Sequence, residues 1–200
     1  MENTTLPALE QAMQWKNPPS LVQPLPEGGL RVATAAGTDY FANPAGGDPV
    51  CNAHYWFLEA PGDFLFTATV RPDCTTRHDG GALIAWANED TWAKLCLEWM
   101  GAGLPYLSTT VTHGRSDDAG HGQHTADAAR LTLARLGGVV AMYVWEENAG
   151  CQRMLRFFPF EAGTIRLGVA FQCPIGPGGA VDLLDISYSP VGPKDLFAGA

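Results

Sequence analysis

Five polar residues fall at alternate positions on two neighbouring stretches of the chain. Lys94 and Glu98 lie on the first, and Ser108, Thr110 and Thr112 on the second. If the two stretches are adjacent antiparallel strands, residues two apart share a face and stand opposite the neighbour's alternate set. All five then line one patch, with Trp86 or Trp92 as an aromatic platform. Sugar hydroxyls bind to such a mixture of planar donors and acceptors beside an apolar surface. The competing reading is a solvated Lys94–Glu98 ion pair, worth ~1 kcal/mol or less.

Other residues of chemical interest are weaker candidates. His113, Arg115, Asp117, Asp118, His121 and His124 cluster in the polar segment HGRSDDAGHGQHTAD, 113–127. An H-x-x-H pair in a Gly-rich loop lacks the fixed geometry of two histidines on one helix face. The segment therefore reads as a solvated loop, not a metal site, with Arg115, Ser116 and Asp117 rimming the polar patch. The neighbours His78 and Asp79 could orient an imidazole for acid–base work, although adjacent residues of this kind more often form a turn. No Ser sits in a G-x-S-x-G elbow and no Cys in a nucleophile signature, so nucleophilic hydrolysis has no support. No strand places two carboxylates on one face, as glycoside hydrolysis requires; Glu98 stands alone, and Asp182 and Asp185 differ in parity.

The elements that must position these residues form a meander over Gly80–Thr112. Strands are expected at Gly81–Ala87, Thr91–Trp99 and Leu104–Thr112, joined by Asn88-Glu89-Asp90 and by Met100-Gly101-Ala102-Gly103. In the middle strand Ala93, Leu95, Leu97 and Trp99 point one way, and Trp92, Lys94, Cys96 and Glu98 the other. That pattern predicts one face on the core and one open to water or a ligand. Upstream, Leu6–Trp15 has helical spacing and Asn17-Pro18-Pro19 stops it. Strands follow at Leu30–Thr34, His54–Glu59 and Asp63–Arg71, the last with the clearest alternation in the chain. Downstream, Ala129–Leu136 and Val139–Glu146 flank Gly137-Gly138, and Cys151–Phe158, Thr164–Gln172 and Ala180–Ser189 complete about eleven strands. Hairpin-length connections and the absence of alternating helices predict an all-β antiparallel β-sandwich, one domain over 1–200 with its core at about 15–189.

Composition agrees. The 200 residues are 46% hydrophobic but only 16% charged, with 23 Gly and 15 Pro for turns. A net charge of −9 opposes nucleic acid and anionic membrane partners. A neutral polar ligand or a protein partner remains open. Five widely spaced cysteines (51, 74, 96, 151 and 173) make neither a disulfide framework nor a zinc ribbon. The N-terminus lacks a signal-peptide pattern and no apolar run reaches a membrane span, so a cytoplasmic setting is expected, with no cofactor.

Several motifs resemble a known family: Trp15–Pro19 (WKNPP), Gly37–Phe41 (GTDYF), Gly62-Asp63-Phe64, His78–Trp86 (HDGGALIAW), the W-A-K-x-x-x-E of Trp92–Glu98, and Leu107–Asp117 (LSTTVTHGRSD). The chain resembles bacterial and fungal proteins of unknown function, a family that includes the yeast regulation-of-enolase protein and looks like concanavalin A-like lectin/glucanase sandwiches. The resemblance implies a jelly roll with one concave sheet. It also implies a polar face drawn from the positions of His78, Asp79, Lys94, Glu98, Ser108, Thr110, Ser116 and Asp117. The chain departs from the family where Y-D-Q-A-G reads His78-Asp79-Gly80-Gly81-Ala82 and S-D-W-S reads Ser116-Asp117-Asp118-Ala119. The functional expectation is a non-enzymatic module that binds carbohydrate or a similar polar ligand through His78, Asp79, Trp92, Lys94, Glu98, Ser108, Thr110, Arg115 and Asp117. The alternatives are a protein-interaction or regulatory module, or a sugar-active enzyme working through His78, Asp79 and Glu98.

Overall fold

A computed structural model of the protein describes residues 4–199. In chain order the elements are β1 (Thr4–Thr5), α1 (Leu6–Ala12), β2 (Gln14–Lys16), β3 (Val22–Pro24), β4 (Leu30–Ala35), β5 (Tyr40–Phe41), β6 (Val50–Cys51), β7 (His54–Ala60), β8 (Phe64–Pro72) and β9 (Gly80–Asn88). They continue with β10 (Thr91–Glu98), β11 (Tyr106–His113), β12 (Arg115–Gln123), β13 (Ala129–Leu136), β14 (Val139–Glu146), β15 (Cys151–Pro159), β16 (Ile165–Gln172) and β17 (Gly178–Ser189). Two antiparallel sheets stack as a sandwich. One has the order β15-β14-β13-β8-β17-β4-β3, with β1 added on β17. The other has the order β12-β11-β10-β9-β16-β7-β2, and β5-β6 forms a separate two-stranded ribbon.

Period-two alternation builds the core between the sheets. Phe64, Phe66, Ala68 and Val70 of β8 face Ala93, Leu95 and Leu97 of β10 and Leu83 and Ala85 of β9 within one continuous cluster, as their alternation predicts. The other face of the seven-stranded sheet is not open along its whole length. Tyr40 of β5 packs edge-on against Trp86 and Trp92, centroids 5.3 and 6.1 Å away, and the two indoles stack at 6.2 Å. With Tyr55, Phe57, Ile84 and Ala170 they form a second core beneath the ribbon.

The eleven strands legible in the sequence are present with ends shifted by no more than two residues. Two expectations are corrected. Most of the segment 113–127 is not a loop: Arg115–Gln123 form the edge strand β12, which pairs with β11 from His113↔Arg115 to Tyr106↔Gln123. Backbone bonding to a neighbour overrides the composition of β12, which has no β-branched or aromatic residue. The N-terminal helix ends at Ala12 and not at Trp15, because Trp15 joins β2 and stacks on Trp56 of β7 (5.9 Å, 20° between planes). All five cysteines are free. Among the described residues no helix is long and apolar enough to cross a membrane.

The close approach of β16 to β7 depends on Gly168. A Cβ there would lie 2.0 Å from the Trp56 carbonyl oxygen, a backbone atom that can move only with its strand. Gly168→Ala is expected to destabilise the fold by at least about 2 kcal/mol, as overpacking does. Chemical denaturation will measure the loss; an unchanged midpoint would place the two strands further apart than described.

Candidate functional site

Strand register sets the site. On the outer face of the seven-stranded sheet, Lys94 stands opposite Thr110 and Thr110 opposite Asp118; Cys96 stands opposite Ser108 and Ser108 opposite Gly120; Glu98 stands opposite Tyr106. All of these but Cys96 line one end of a cleft of about 490 Å³. Asp39 and Phe41 of the ribbon close one side, and His78, Met100, Gln172, Pro174 and Ile175 contribute the rest of the wall.

The polar groups form a continuous chain of bonds. The Lys94 ammonium, 7% exposed, donates to Asp39 (3.1 Å) and to the Gln172 side-chain oxygen (3.2 Å). The Gln172 amide nitrogen donates to the His78 carbonyl (3.1 Å). His78 Nδ1 meets Glu98 at 2.8 Å, and the Ser108 hydroxyl donates to the other Glu98 oxygen. Because a carboxylate faces Nδ1, that nitrogen carries the proton and Nε2 is left for the cleft. A network satisfied in this way is rigid, and its members depend on one another.

Electrostatics follow from burial and pairing. Burial pulls the Lys94 ammonium toward neutrality, but the Asp39 carboxylate, with smaller help from Glu98, more than reverses this and the pKa is raised. Burial likewise pushes Glu98 up, and the hydrogen bond from His78, the charge of Lys94 and the Ser108 hydroxyl together bring it below its ordinary value. The bond to Glu98 raises His78 above 6.5 against the opposing effect of burial. The site therefore keeps its carboxylate ionised and favours the imidazolium.

Backbone conformation completes the geometry. His78 has φ 69°, a left-handed conformation uncommon for a non-glycine residue. Its N–H donates to the Trp99 carbonyl (2.6 Å), and Trp99 N–H donates to Asp79 (2.9 Å), which extends the β9–β10 ladder past Glu98 and sets the imidazole beside it. Gly80, directly opposite Glu98, has no room for a Cβ, which would meet the Leu97 carbonyl at 2.9 Å.

Of the residues expected from the sequence, His78, Lys94, Glu98, Ser108 and Thr110 converge on the cleft. Lys94 and Glu98 do not pair with each other, so the solvated ion pair is replaced by two separate partnerships. Four residues lie elsewhere. Trp92 is fully buried under Tyr40 and offers no platform. The Asp79 carboxylate accepts from the Thr75 hydroxyl and the Thr76 N–H, both 2.7 Å, so it fastens a turn and does not orient His78. Arg115 donates to the carbonyls of Asn43 and Gly47 and holds the ribbon loop. Asp117 points to the opposite face and pairs with Arg156 of β15 at 2.6 Å, tying the edges of the two sheets. Asp39 and Gln172 were missed, and Asp118 was read only as part of the polar segment 113–127. Asp118 is one residue from Asp117 and the opposite parity, so strand assignment alone would have selected it; Asp39 and Gln172 arrive from distant segments with no local signal.

The histidines of 113–124 separate. His121 meets the Thr109 hydroxyl (2.9 Å) and His124 the Ala128 carbonyl (3.0 Å). Among the described residues no three His, Cys, Asp or Glu side chains gather as a metal would require. A second, more open groove of about 470 Å³ lies at the other end of the same face, lined in part by Glu59, Trp86, Glu89 and Arg166, without the buried charge pairs of the first.

Two outcomes test this geometry. The stabilisation from the raised His78 pKa is complete below its ordinary 6.5 and is lost as pH rises through the raised value. That from the lowered Glu98 pKa is complete above its ordinary 4.5 and is lost as pH falls through the lowered value. Both contribute fully between 4.5 and 6.5. NMR titration is expected to place His78 above 6.5 in the wild type and to return it toward 6.5 in Glu98→Gln; no change would sever the pair. Separately, Lys94→Met leaves Asp39 without its buried partner, and denaturant unfolding is expected to show a loss of about 3 kcal/mol.

Comparison with known proteins places this geometry in context. A Saccharomyces cerevisiae protein of unknown function superposes with a TM-score of 0.80 at 21% identity, covering 92% of this chain and 98% of that one. The GH43 protein BlXynB of Bacillus licheniformis gives 0.67 at 16%, covering 88% of this chain but 36% of its own length. Lectin I-B4 of Griffonia simplicifolia, in its metal-free form, gives 0.60 at 12%, covering 94% of this chain and 99% of the lectin. These likenesses establish a lectin-like sandwich fold. No curated protein matches significantly. The pattern of one family spans residues 15–191, nearly the whole sandwich, and the chain belongs to that family, described as "Protein of unknown function (DUF1349)".

Proposed function

We propose that the cleft over β10–β12 binds a small polar ligand of the carbohydrate type without transforming it. The observation that carries this reading is one cavity with two kinds of wall. Lys94, Glu98, Ser108, Thr110, Asp118 and Gln172 supply donors and acceptors, while Phe41, Met100, Tyr106, Pro174 and Ile175 supply apolar and aromatic surface. Ligand sites combine convergent polar groups with apolar lining in a cavity of this size. A pyranose has the matching character, hydroxyls at its rim and C–H groups on its faces. The fold shared with proteins described as lectins adds support.

Chemistry at the site also favours binding over turnover. Glu98 is held ionised with a lowered pKa by His78, Lys94 and Ser108, so it is a weak base toward the Ser108 hydroxyl that donates to it and activates that hydroxyl little.

Thermal-shift measurements against mono- and oligosaccharides test the proposal. A binder present at a hundredfold its Kd is expected to stabilise the protein by about 2.7 kcal/mol. Thr110→Val keeps the shape of the wall and removes one hydroxyl, and is expected to weaken binding about fivefold, the worth of one hydrogen bond near 1 kcal/mol. No shift with any saccharide, or equal binding by the variant, would count against the cleft as a sugar site.

A further inference from the structure

The cleft is acidic in a specific arrangement. Asp39, Glu98 and Asp118 face Lys94 and His78. Asp39 is matched by Lys94 and Glu98 by His78. Asp118 is exposed and has no ion-pair partner among the described residues, so one carboxylate is in excess even when His78 is protonated. Lys94, Thr110 and Asp118 stand in a row on consecutive strands, spanning about 10 Å by strand spacing.

Thr110, at the centre of that row, is a second and independent pointer to a ligand. It is 3% exposed and lines the cleft, and its hydroxyl has no hydrogen-bond partner among the described residues. A hydroxyl both donates and accepts. Next to it, the three-donor Lys94 ammonium has two acceptors, Asp39 and Gln172, and a third N–H to spare. A ligand hydroxyl satisfies both groups. One strand further on, the unmatched Asp118 attracts a positive group and repels a negative one.

We propose that the ligand of this cleft is a hydroxylated amine such as an amino sugar. Its hydroxyls meet Thr110 and Lys94, its ammonium meets Asp118, and its apolar face lies on Phe41 and Tyr106. Phosphorylated sugars are rejected by the excess carboxylate. This rests on the reading of the cleft as a polar-ligand site and adds the charge of the ligand to it.

The test is calorimetric titration at pH 6.5 and low ionic strength with four probes: D-glucosamine, D-glucose, D-glucose 6-phosphate and cyclohexylamine. Wild type, Asp118→Asn and Thr110→Val are compared after circular dichroism confirms that each is folded. Glucosamine is expected to bind about fivefold more tightly than glucose, as one partly exposed ion pair allows. Glucose 6-phosphate is expected not to bind. Asp118→Asn is expected to bring glucosamine down to the affinity that the same variant has for glucose, and Thr110→Val to weaken both sugars. Glucose 6-phosphate binding as well as glucosamine would overturn the charge assignment and leave the sugar reading standing. Cyclohexylamine binding as tightly as glucosamine, with Thr110→Val silent, would overturn the hydroxyl contacts and the sugar reading while retaining the attraction to Asp118. No binding by any probe would overturn both.

Discussion

A charged ammonium buried on a sheet face constrains everything around it. Lys94 lies between Trp92 and Cys96 in the buried interior of its strand, and an isolated charge there would be far too costly to keep. It is retained because Asp39 and Gln172 come to it from segments distant in sequence. Asp39 brings the β5–β6 ribbon with it, and the ribbon's Tyr40 then covers Trp86 and Trp92. One ion pair thus divides the outer face of the sheet. One end is roofed by aromatic packing, and the other is left as a cleft whose walls meet at the same lysine.

His78 is held by the second half of the same network. Its left-handed backbone is maintained by the bond to Trp99 and by Gln172 on its carbonyl, and its ring is fixed by Glu98. Such strain persists only where neighbours over-determine the conformation. Because Gln172 touches both Lys94 and His78, the two charge pairs are mechanically linked. The cleft is therefore preorganised, which lowers the ordering cost of a ligand. The carbohydrate reading draws on this rigidity as well as on the composition of the walls.

How much of this was legible in the sequence depended on the length of each element and on the separation of partners. Phe64, Phe66, Ala68 and Val70 declared β8 by alternation, and the hairpin around Gly137-Gly138 declared β13 and β14. The six strands left unread fail for physical reasons. β1, β2, β3, β5 and β6 have two or three residues each, too short for a period of two to register. β12 is held by its backbone pairing to β11 and not by its composition. In the site, Lys94, Glu98, Ser108 and Thr110 were found because they share one hairpin, whose register follows from local turns. Asp39 and Gln172, 55 and 78 residues from Lys94, are brought in by tertiary folding alone. Trp92 was misread because its parity was right but the ribbon above it was invisible.

The fold is that of lectin-like sandwiches and the family is one of unknown function, so the weight of the functional account rests on the cleft itself. The most direct measurement is an amide chemical-shift titration of the isotope-labelled protein with D-glucosamine. Saturable shifts are expected at His78, Thr110, Asp118 and Gln172, the residues around the spare hydroxyl and the spare ammonium proton. Shifts confined to Glu59, Trp86 and Arg166 at the other end of the face, or none at saturating ligand, would contradict it.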